Sequence, residues 1–213
     1  MFITGGDSGR GIVAVILAAG RSLRTGDRHK LLARDAAGRS MIGRTIMQVA
    51  SSDVERICIV VPDAKGLVAL AASRAIAGRA DGVRFAIREA ADAGDGISAS
   101  LRAGIAYARD MGAGGAVICL GDMPLVAGPV IDALIGCHKA TGADVVVPEC
   151  DGRSGNPVLW DARWFEALMA LNGDEGARKL LRSPDIRRAS VRADASIFVD
   201  FDTPEALDVF SGL

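Results

Sequence analysis

The chain has 213 residues, half of them hydrophobic but only 4% aromatic, and its formal net charge is −1 at pH 7. This length fits one α/β domain with a core of small aliphatic side chains. Lysine and arginine are scattered, which excludes the basic stripe of a nucleic-acid-binding protein. No apolar run approaches the roughly 18 residues of a membrane span, and no basic-then-apolar leader occurs. We therefore expect a cytoplasmic protein with neither nucleic acid nor membrane as a partner.

A glycine-rich stretch, TGGDSGRG, lies near the amino terminus, and its spacing resembles the cofactor loop of short-chain dehydrogenases. Such a loop needs a strand before its glycines and a helix after them, because the helix amino terminus receives the pyrophosphate. Here a strand follows instead, and Tyr107, the single tyrosine, has Met111 where the lysine of a Tyr-x-x-x-Lys pair would stand. We expect residues 1–11 to be a flexible leader and residues 12–213 to form a single domain.

Short runs rich in β-branched residues alternate along the chain with segments whose apolar residues are spaced three and four apart. The first kind predicts buried strands at IVAVIL (12–17), RICIVV (56–61), VRFAI (83–87), GAVICL (115–120) and ADVVVP (143–148). The second kind predicts helices within residues 40–52, 65–78, 97–112 and 126–142. This alternation indicates a parallel sheet with right-handed crossovers.

The pattern loosens after Pro148. We expect an irregular cap with two short helical segments and an extra pair of strands over one end of the sheet. A last strand is predicted at ASIFVDFD (195–202), followed by a helix from Pro204. In open α/β sheets ligands bind beyond the carboxyl ends of the strands, so the residues just after each strand are the candidates for a site.

The loop after the first predicted strand, LAAGRSLRTGDRHK, combines small residues with cations. Ala18, Ala19 and Gly20 allow the backbone to approach a ligand closely, so that successive N–H groups can hold phosphate oxygens. The loop also carries cations that can neutralise a triphosphate and the charge that develops when it is attacked, namely Arg21, Arg24, Arg28 and Lys30. The loop predicts a triphosphate site without a Walker motif, and a solvated basic surface loop is the alternative.

Carboxylates follow two further predicted strands. Asp122, in CLGDMP, is suited to a divalent cation whose other ligands are mostly water and phosphate oxygens. In FVDFDTPEAL, alternation along an extended chain puts Asp200 and Asp202 on one side and Phe201 on the other, so one of the two could complete the metal site. A turn at Asp122, and a helix cap at Asp202 or Thr203, are the structural alternatives.

Six motifs taken together, LAAGRSLRTGDRHK, GISASLRAG, LGDMP, SGNPVLW, GDEGARKLL and DFDTPEAL, resemble the ordered motif set of the MobA-like NTP transferases. Among these, the chain looks most like the molybdenum cofactor cytidylyltransferases. The resemblance implies a Rossmann-like nucleotidyltransferase fold, a three-layer α/β/α domain with a mostly parallel sheet. It also implies an NTP bound with Mg²⁺ and transfer of NMP with release of pyrophosphate. The Leu-Ala-Ala-Gly sequence at 17–20 resembles that of the cytidylyltransferases in this family, which implies CTP as the nucleotide.

The resemblance also implies roles for the residues at matching positions. The nucleotide-binding residues would be Leu17, Ala18, Ala19, Gly20, Arg24, Lys30, Gly96, Ser98 and Ser100. The catalytic residues would be Arg24, Lys30 and Asp122, and the metal ligands would be Asp122, Asp200 and Asp202. Asn156, Asp174 and Arg178 are expected on the acceptor side, where a loop turn and a helix start are the structural alternatives.

The expected reaction is transfer of CMP from CTP, or of NMP from another NTP, to the terminal phosphate of molybdopterin. Mg²⁺ is the expected cofactor and a molybdoenzyme is a candidate partner. Three alternatives stay open. They are a nucleotidyltransferase for another phosphorylated acceptor such as a sugar phosphate, a non-catalytic cofactor-binding or chaperone protein, and an oxidoreductase on the same scaffold.

Overall fold

The computed structural model describes residues 11–20, 29–77, 83–90, 96–173, 177 and 180–213. The strands within these ranges are β1 (Ile12–Leu17), β2 (Arg56–Val61), β3 (Arg84–Glu89), β4 (Gly115–Leu120), β5 (Val145–Cys150), β6 (Arg153–Ser154), β7 (Val158–Asp161) and β8 (Arg188–Arg192). The α-helices are α1 (Met41–Ala50), α2 (Leu67–Ile76), α3 (Ile97–Asp110), α4 (Gly128–Thr141), α5 (Phe165–Met169) and α6 (Pro204–Ser211). The first five predicted strands and the four predicted central helices are confirmed to within a few residues.

The strands form one mixed sheet, in which parallel pairing dominates. Their order is β3-β2-β1-β4-β7-β5-β6, and β8 pairs with β5 outside this path. β1 is parallel to β2 and β4, β2 to β3 and β5 to β8, whereas β7 runs antiparallel to both β4 and β5. The carboxyl ends of β1, β4 and β5 and the amino end of β7 therefore meet at one edge of the sheet.

Alternate residues of the central strands pack into two separate cores, which gives the molecule three layers. Ala14 and Ile16 of β1 face the core that α1, α2, α4 and α6 cover. Val13 and Val15 face the core formed with α3 and α5. The three-layer α/β/α architecture is thus confirmed. No helix in the described ranges is long and apolar enough to cross a membrane.

Two glycines fix the position of α3 beside β1. A Cβ at Gly104 would lie 2.1 Å from Cγ1 of Val15, a fully buried side chain, so the backbone of the helix packs directly against this side chain of the strand. Gly96, immediately before the helix, has a φ of 79°, a conformation that glycine adopts without strain. The amino end of α3 is thereby held at the edge where the strands end.

The predicted strand at 195–202 is wrong. Residues Ala195–Phe198 form a 3-10 turn, which Asp194 caps by accepting a hydrogen bond of 2.8 Å from the backbone N–H of Ser196. The apolar residues of this segment are buried by packing rather than by strand pairing, as Phe201 shows by its edge-on contact with Phe210. The last strand is instead β8, a polar segment that pairs alongside β5.

Of the two residues predicted to cap the final helix, Asp202 and Thr203, the structure uses Thr203. Thr203 is the N-cap of α6, and its hydroxyl accepts a hydrogen bond of 3.2 Å from the backbone N–H of Ala206. Pro204 occupies the first turn, where its missing N–H has no cost. Thr203 does the capping, and the carboxylate of Asp202 instead accepts a hydrogen bond from Lys30 at the edge of the sheet.

Candidate functional site

The ends of β1 and β4 place two of the candidate loops side by side. Leu17 and Leu120 are paired in register, and the N–H of Gly121 donates a hydrogen bond of 3.0 Å to the carbonyl of Leu17. A Cβ at Gly121 would lie 3.0 Å from that same oxygen, which favours glycine in this position. The loops that start at Ala18 and Asp122 therefore leave the sheet in close proximity.

The small-residue turn after β1 is anchored on its inner side. The N–H of Ala18 donates a hydrogen bond of 2.8 Å to the carbonyl of Val60 at the end of β2. Ala18 and Ala19 are buried, whereas Gly20 is exposed. The turn thus leaves the core at Gly20, and residues 21–28 that follow lie outside the described part of the chain.

Lys30 joins two carboxylates at this edge. Its Nζ donates hydrogen bonds to Oδ2 of Asp122 and to Oδ1 of Asp202. The three side chains are largely buried, with exposed fractions of 14% for Lys30, 14% for Asp122 and 21% for Asp202. Segments that follow β1, β4 and the last 3-10 turn therefore converge on a single ammonium group.

The charges in this cluster shift the pKa of Lys30 and that of Asp200. Burial by itself lowers the pKa of Lys30, but the carboxylates of Asp122 and Asp202 outweigh it and the net shift is upward, so the ammonium stays charged. At the exposed rim, partial desolvation raises the pKa of Asp200, and the negative charges of Asp202 and Asp122 raise it further. Three carboxylates gathered around one ammonium create a site that attracts an additional cation.

The donor atoms of the cluster fit a hard divalent cation. Mg²⁺ and similar ions take oxygen ligands and need only one or two protein carboxylates when phosphates and waters supply the rest. Asp122 and Asp202 already share one cation, the ammonium of Lys30. Among the described residues, no three His, Cys, Asp or Glu side chains form a ready-made metal site. A metal held here would therefore draw part of its ligand set from a bound substrate.

A cavity of about 480 Å³ opens next to the cluster, a volume suited to a small-molecule ligand. Its lining is mostly apolar, with Leu17 at the end of β1 and Val158 at the start of β7 among the wall residues. Arg153 and Asp200 are the charged side chains among the described lining residues, and Asn156 adds an amide. The predicted acceptor residue Asn156 and the predicted metal ligand Asp200 thus border the same space.

The two serines of α3 that were predicted to bind the nucleotide, Ser98 and Ser100, do not line the cavity. Ile97 and Leu101 line the cavity, whereas Ser98 and Ser100 are buried and do not contribute to its wall. The hydroxyl of Ser98 accepts a hydrogen bond of 3.5 Å from Nη1 of Arg102. The apolar side chains of the first helical turns, rather than the serine hydroxyls, therefore face the cavity.

Several predicted residues lie outside the described part of the chain, namely Arg24, Asp174 and Arg178, together with residues 1–10 of the expected leader. Sequence reasoning also missed two residues of the cavity wall, Arg153 and Phe198. The Asp-Gly pair at 151–152, typical of a tight hairpin, is the signal that could have placed the side chains after it at the edge of the sheet.

The fold and the site together define the class of protein. The three-layer domain has a mostly parallel sheet, and the small-residue turn after β1 and the cluster of carboxylates with a lysine lie at the edge where open α/β sheets bind ligands. The chain belongs to the family described as the MobA-like NTP transferase domain, whose sequence model matches residues 14–191. It is therefore a nucleotidyltransferase enzyme.

Individual relatives support this assignment along nearly the whole chain. Purine catabolism protein PucB of Bacillus subtilis (strain 168) is 28% identical over 200 residues, covering 93% of this chain and 95% of PucB. Rv0371c from Mycobacterium tuberculosis H37Rv is 27% identical, with a TM-score of 0.75 over 95% of this chain and 97% of that one. Its complex with manganese is 25% identical, with a TM-score of 0.67 over 94% and 98%. Mth528, a nucleotidyl transferase from Methanothermobacter thermautotroptrophicus, shares the fold at 24% identity and a TM-score of 0.72 over 95% and 97%.

Proposed function

We propose that the protein transfers CMP from CTP to the terminal phosphate of molybdopterin, with Mg²⁺ as the cofactor and pyrophosphate as the second product. The observation that carries this proposal is the convergence of Lys30, Asp122 and Asp202 beside a cavity large enough for an acceptor. CTP is proposed because the Leu-Ala-Ala-Gly sequence at 17–20 resembles that of the cytidylyltransferases. Cytoplasmic nucleotide pools would supply the CTP, and the product would pass to a molybdoenzyme.

Asp122 and Asp202 are the residues that would hold the metal. This assignment is supported by the contacts of both carboxylates with one cation, the ammonium of Lys30. Asp200, by contrast, lies at the exposed rim of the cavity. A divalent cation supplies charge neutralisation for the triphosphate and orients it for in-line displacement. The manganese complex of Rv0371c supports a divalent cation on this fold.

Lys30 would move from the carboxylates to the triphosphate during substrate binding. Its ammonium sits on a flexible four-carbon stem, so it can follow a change in the charge around it. With Arg24, it would then stabilise the negative charge that passes to the leaving pyrophosphate. The backbone of the turn at 18–20 would hold phosphate oxygens through its N–H groups.

The cavity would hold the acceptor with its phosphate toward the carboxylate cluster. An oxygen of that phosphate forms the new bond to the α-phosphorus while the bond to the pyrophosphate oxygen breaks, so no covalent bond to the protein is needed. The protein contributes mainly by positioning the two phosphates in line. Asn156, Asp174 and Arg178 would contact the acceptor.

Pyrophosphate release tests the proposal. We expect the fastest release with CTP and molybdopterin, in preference to other NTPs or to a sugar phosphate as acceptor, and none without a divalent cation. Faster release with a sugar phosphate would assign a different acceptor. Tight cofactor binding without turnover would indicate a chaperone, and oxidation of NAD(P)H would indicate an oxidoreductase.

A further inference from the structure

Thr45, in the middle of α1, uses its hydroxyl outside its own helix. A threonine within a helix usually bonds the carbonyl of the residue three or four positions before it. Here Oγ1 donates a hydrogen bond of 3.0 Å to the carbonyl of Gly121, which is 76 residues further along the chain. Thr45 is buried, with only 2% of its surface exposed. The bond therefore connects α1 directly to the turn that carries Asp122.

The backbone of Gly121 is held at both of its polar groups. Its N–H donates a hydrogen bond to the carbonyl of Leu17 in β1, and its carbonyl accepts the bond from Thr45 in α1. On the other side of Asp122, the N–H of Met123 donates a bond of 3.3 Å to the last carbonyl of β4. The backbone is thus fixed on both sides of Asp122, and three separate elements contribute to its position.

The carboxylate of Asp122 depends on this backbone for its position. Within the described ranges, its one side-chain partner is the ammonium of Lys30. We proposed above that Lys30 moves to the triphosphate when the nucleotide binds, and the carboxylate then loses that partner. What continues to hold Asp122 is the turn, which Thr45 ties to α1. A carboxylate on a fixed backbone needs less reordering to bind a cation.

The surroundings of Thr45 offer little that could replace its hydroxyl. The gap beside it has a volume of about 10 Å³, at the lower limit of the space that a water molecule needs. Val49, Val126 and Ile131 border this gap, and their side chains have no hydrogen-bond donor. Without the hydroxyl, the buried carbonyl of Gly121 would lack a donor, which is unfavourable. We therefore expect the turn to shift when the hydroxyl is removed.

We propose that Thr45 is a positioning residue of the site, which orients Asp122 for a divalent cation through the carbonyl of Gly121. Its hydroxyl acts on the turn and not on the ligand itself. This inference rests on the proposed nucleotidyl transfer and adds the residue of α1 that supports the carboxylate. Removal of a group that orients a metal ligand typically costs roughly 10–100-fold in metal affinity or activity.

Thr45→Val, which replaces the hydroxyl by a methyl group of similar size, tests this role. We expect Mn²⁺ alone, titrated by electron paramagnetic resonance, to bind on the order of tenfold more weakly to this variant. Pyrophosphate release with CTP and molybdopterin should slow by a similar factor. Thr45→Ser keeps a hydroxyl at the same position, so it should return both quantities to near their wild-type values.

The matched control is Ser52→Ala, just after α1. It also removes a buried hydroxyl that bonds a backbone carbonyl, here that of Val49 at 2.6 Å. Urea denaturation should show reduced stability for both Ser52→Ala and Thr45→Val. Only Thr45→Val should lose Mn²⁺ affinity and activity, because only its hydroxyl holds the turn of Asp122.

Four results would overturn the role of Thr45. They are wild-type Mn²⁺ affinity in Thr45→Val, an equal loss of affinity in Ser52→Ala, no rescue by Thr45→Ser, and no Mn²⁺ binding by the wild-type protein. The two proposals can also fail separately. If Mn²⁺ binding follows the expected order but no sample releases pyrophosphate, the proposed function fails and the role of Thr45 in cation binding stands. If Thr45→Val matches an active wild type in both measurements, only the role of Thr45 fails.

Discussion

At the scale of single residues, Lys30 determines the charge balance of the site. Its ammonium binds Asp122 and Asp202 together, so these carboxylates are partly neutralised before any ligand arrives. A divalent cation that binds the same oxygens has to displace the ammonium. Lys30 would thus oppose metal binding in the absence of nucleotide and assist it once a triphosphate offers the ammonium a new partner.

Replacement of Lys30 by glutamine should separate these two effects. Because Lys30→Gln removes the competing charge, we expect Mn²⁺ alone to bind on the order of tenfold more tightly, while pyrophosphate release falls. Mn²⁺ titration by electron paramagnetic resonance and a pyrophosphate assay measure the two quantities. Lys139→Gln, at an exposed position of α4, is the control and should change neither. Weaker Mn²⁺ binding by Lys30→Gln would contradict the competition.

The candidate residues were predictable one at a time, but their contacts were not. Lys30 and Asp122 each follow a strand that the apolar pattern identifies, so their position at the edge of the sheet could be inferred. The contacts of Lys30 with Asp122 and Asp202 join segments that are 92 and 172 residues away from it in the chain, and they depend on tertiary packing. Arg153 was missed because its partner, Phe198, lies in a turn that was predicted to be a strand.

At the scale of elements, the contact between α3 and β1 sets the position of the helix beside the site. Gly104→Ala places a methyl group against the buried side chain of Val15, so we expect the free energy of unfolding to fall by about 1–3 kcal/mol. Urea denaturation measures this loss. In the control Gly136→Ala, at an exposed position of α4 with nothing within 4 Å of the new Cβ, stability should rise by about 0.5–1 kcal/mol. An equal effect at both positions would argue against the close packing.

Asp144 ties the beginning of β5 to that of β8. Its carboxylate accepts a hydrogen bond of 2.8 Å from the N–H of Arg187 and lies 2.9 Å from Nη1 of Arg163. Burial raises the pKa of this carboxyl, but the hydrogen bonds from Arg187 and the charge of Arg163 outweigh it, and the net shift is downward. The ionised form of Asp144 is therefore the one that stabilises the fold.

The stabilisation from Asp144 should depend on pH with a definite sign. A lowered folded-state pKa contributes stability above the unfolded value of about 3.9, and this contribution is lost as the pH falls through the folded-state pKa. We expect Asp144→Asn to lose about 1–3 kcal/mol of unfolding free energy at pH 7. The difference from the wild type should shrink below about pH 4. Urea denaturation at several pH values checks this, and a difference that grows on acidification would contradict it.

The order of the central elements could be predicted because their strands are buried on both faces and therefore appear as continuous apolar runs. The region after β5 could not be predicted in the same way. β8 reads RASVR, a polar sequence that pairs beside β5, whereas the more apolar segment at 195–202 packs its side chains without pairing. Burial in that region depends on tertiary contacts, which a local pattern does not contain.

At the scale of the whole molecule, the topology of the sheet accounts for the site. The carboxyl ends of β1 and β4 are adjacent because these strands pair in parallel, and the antiparallel β7 starts at the same edge. The turn at 18–20, the carboxylate of Asp122 and the wall of the cavity all lie there as a consequence. One edge of the sheet thus holds the groups proposed for the triphosphate, for the metal and for the acceptor.

The central claim is that this edge transfers a nucleotidyl group, and the fate of the α-phosphate tests it most directly. The measurement follows label from CTP labelled at the α-phosphate into molybdopterin, with and without Mg²⁺, for the wild type and for Asp122→Asn. We expect metal-dependent labelling of the acceptor by the wild-type protein and a loss on the order of 100-fold or more in Asp122→Asn. Asp53→Asn, at an exposed surface position, should label the acceptor as the wild type does. Labelling that persists in Asp122→Asn, or an acceptor that gains no label from any NTP, would contradict the account.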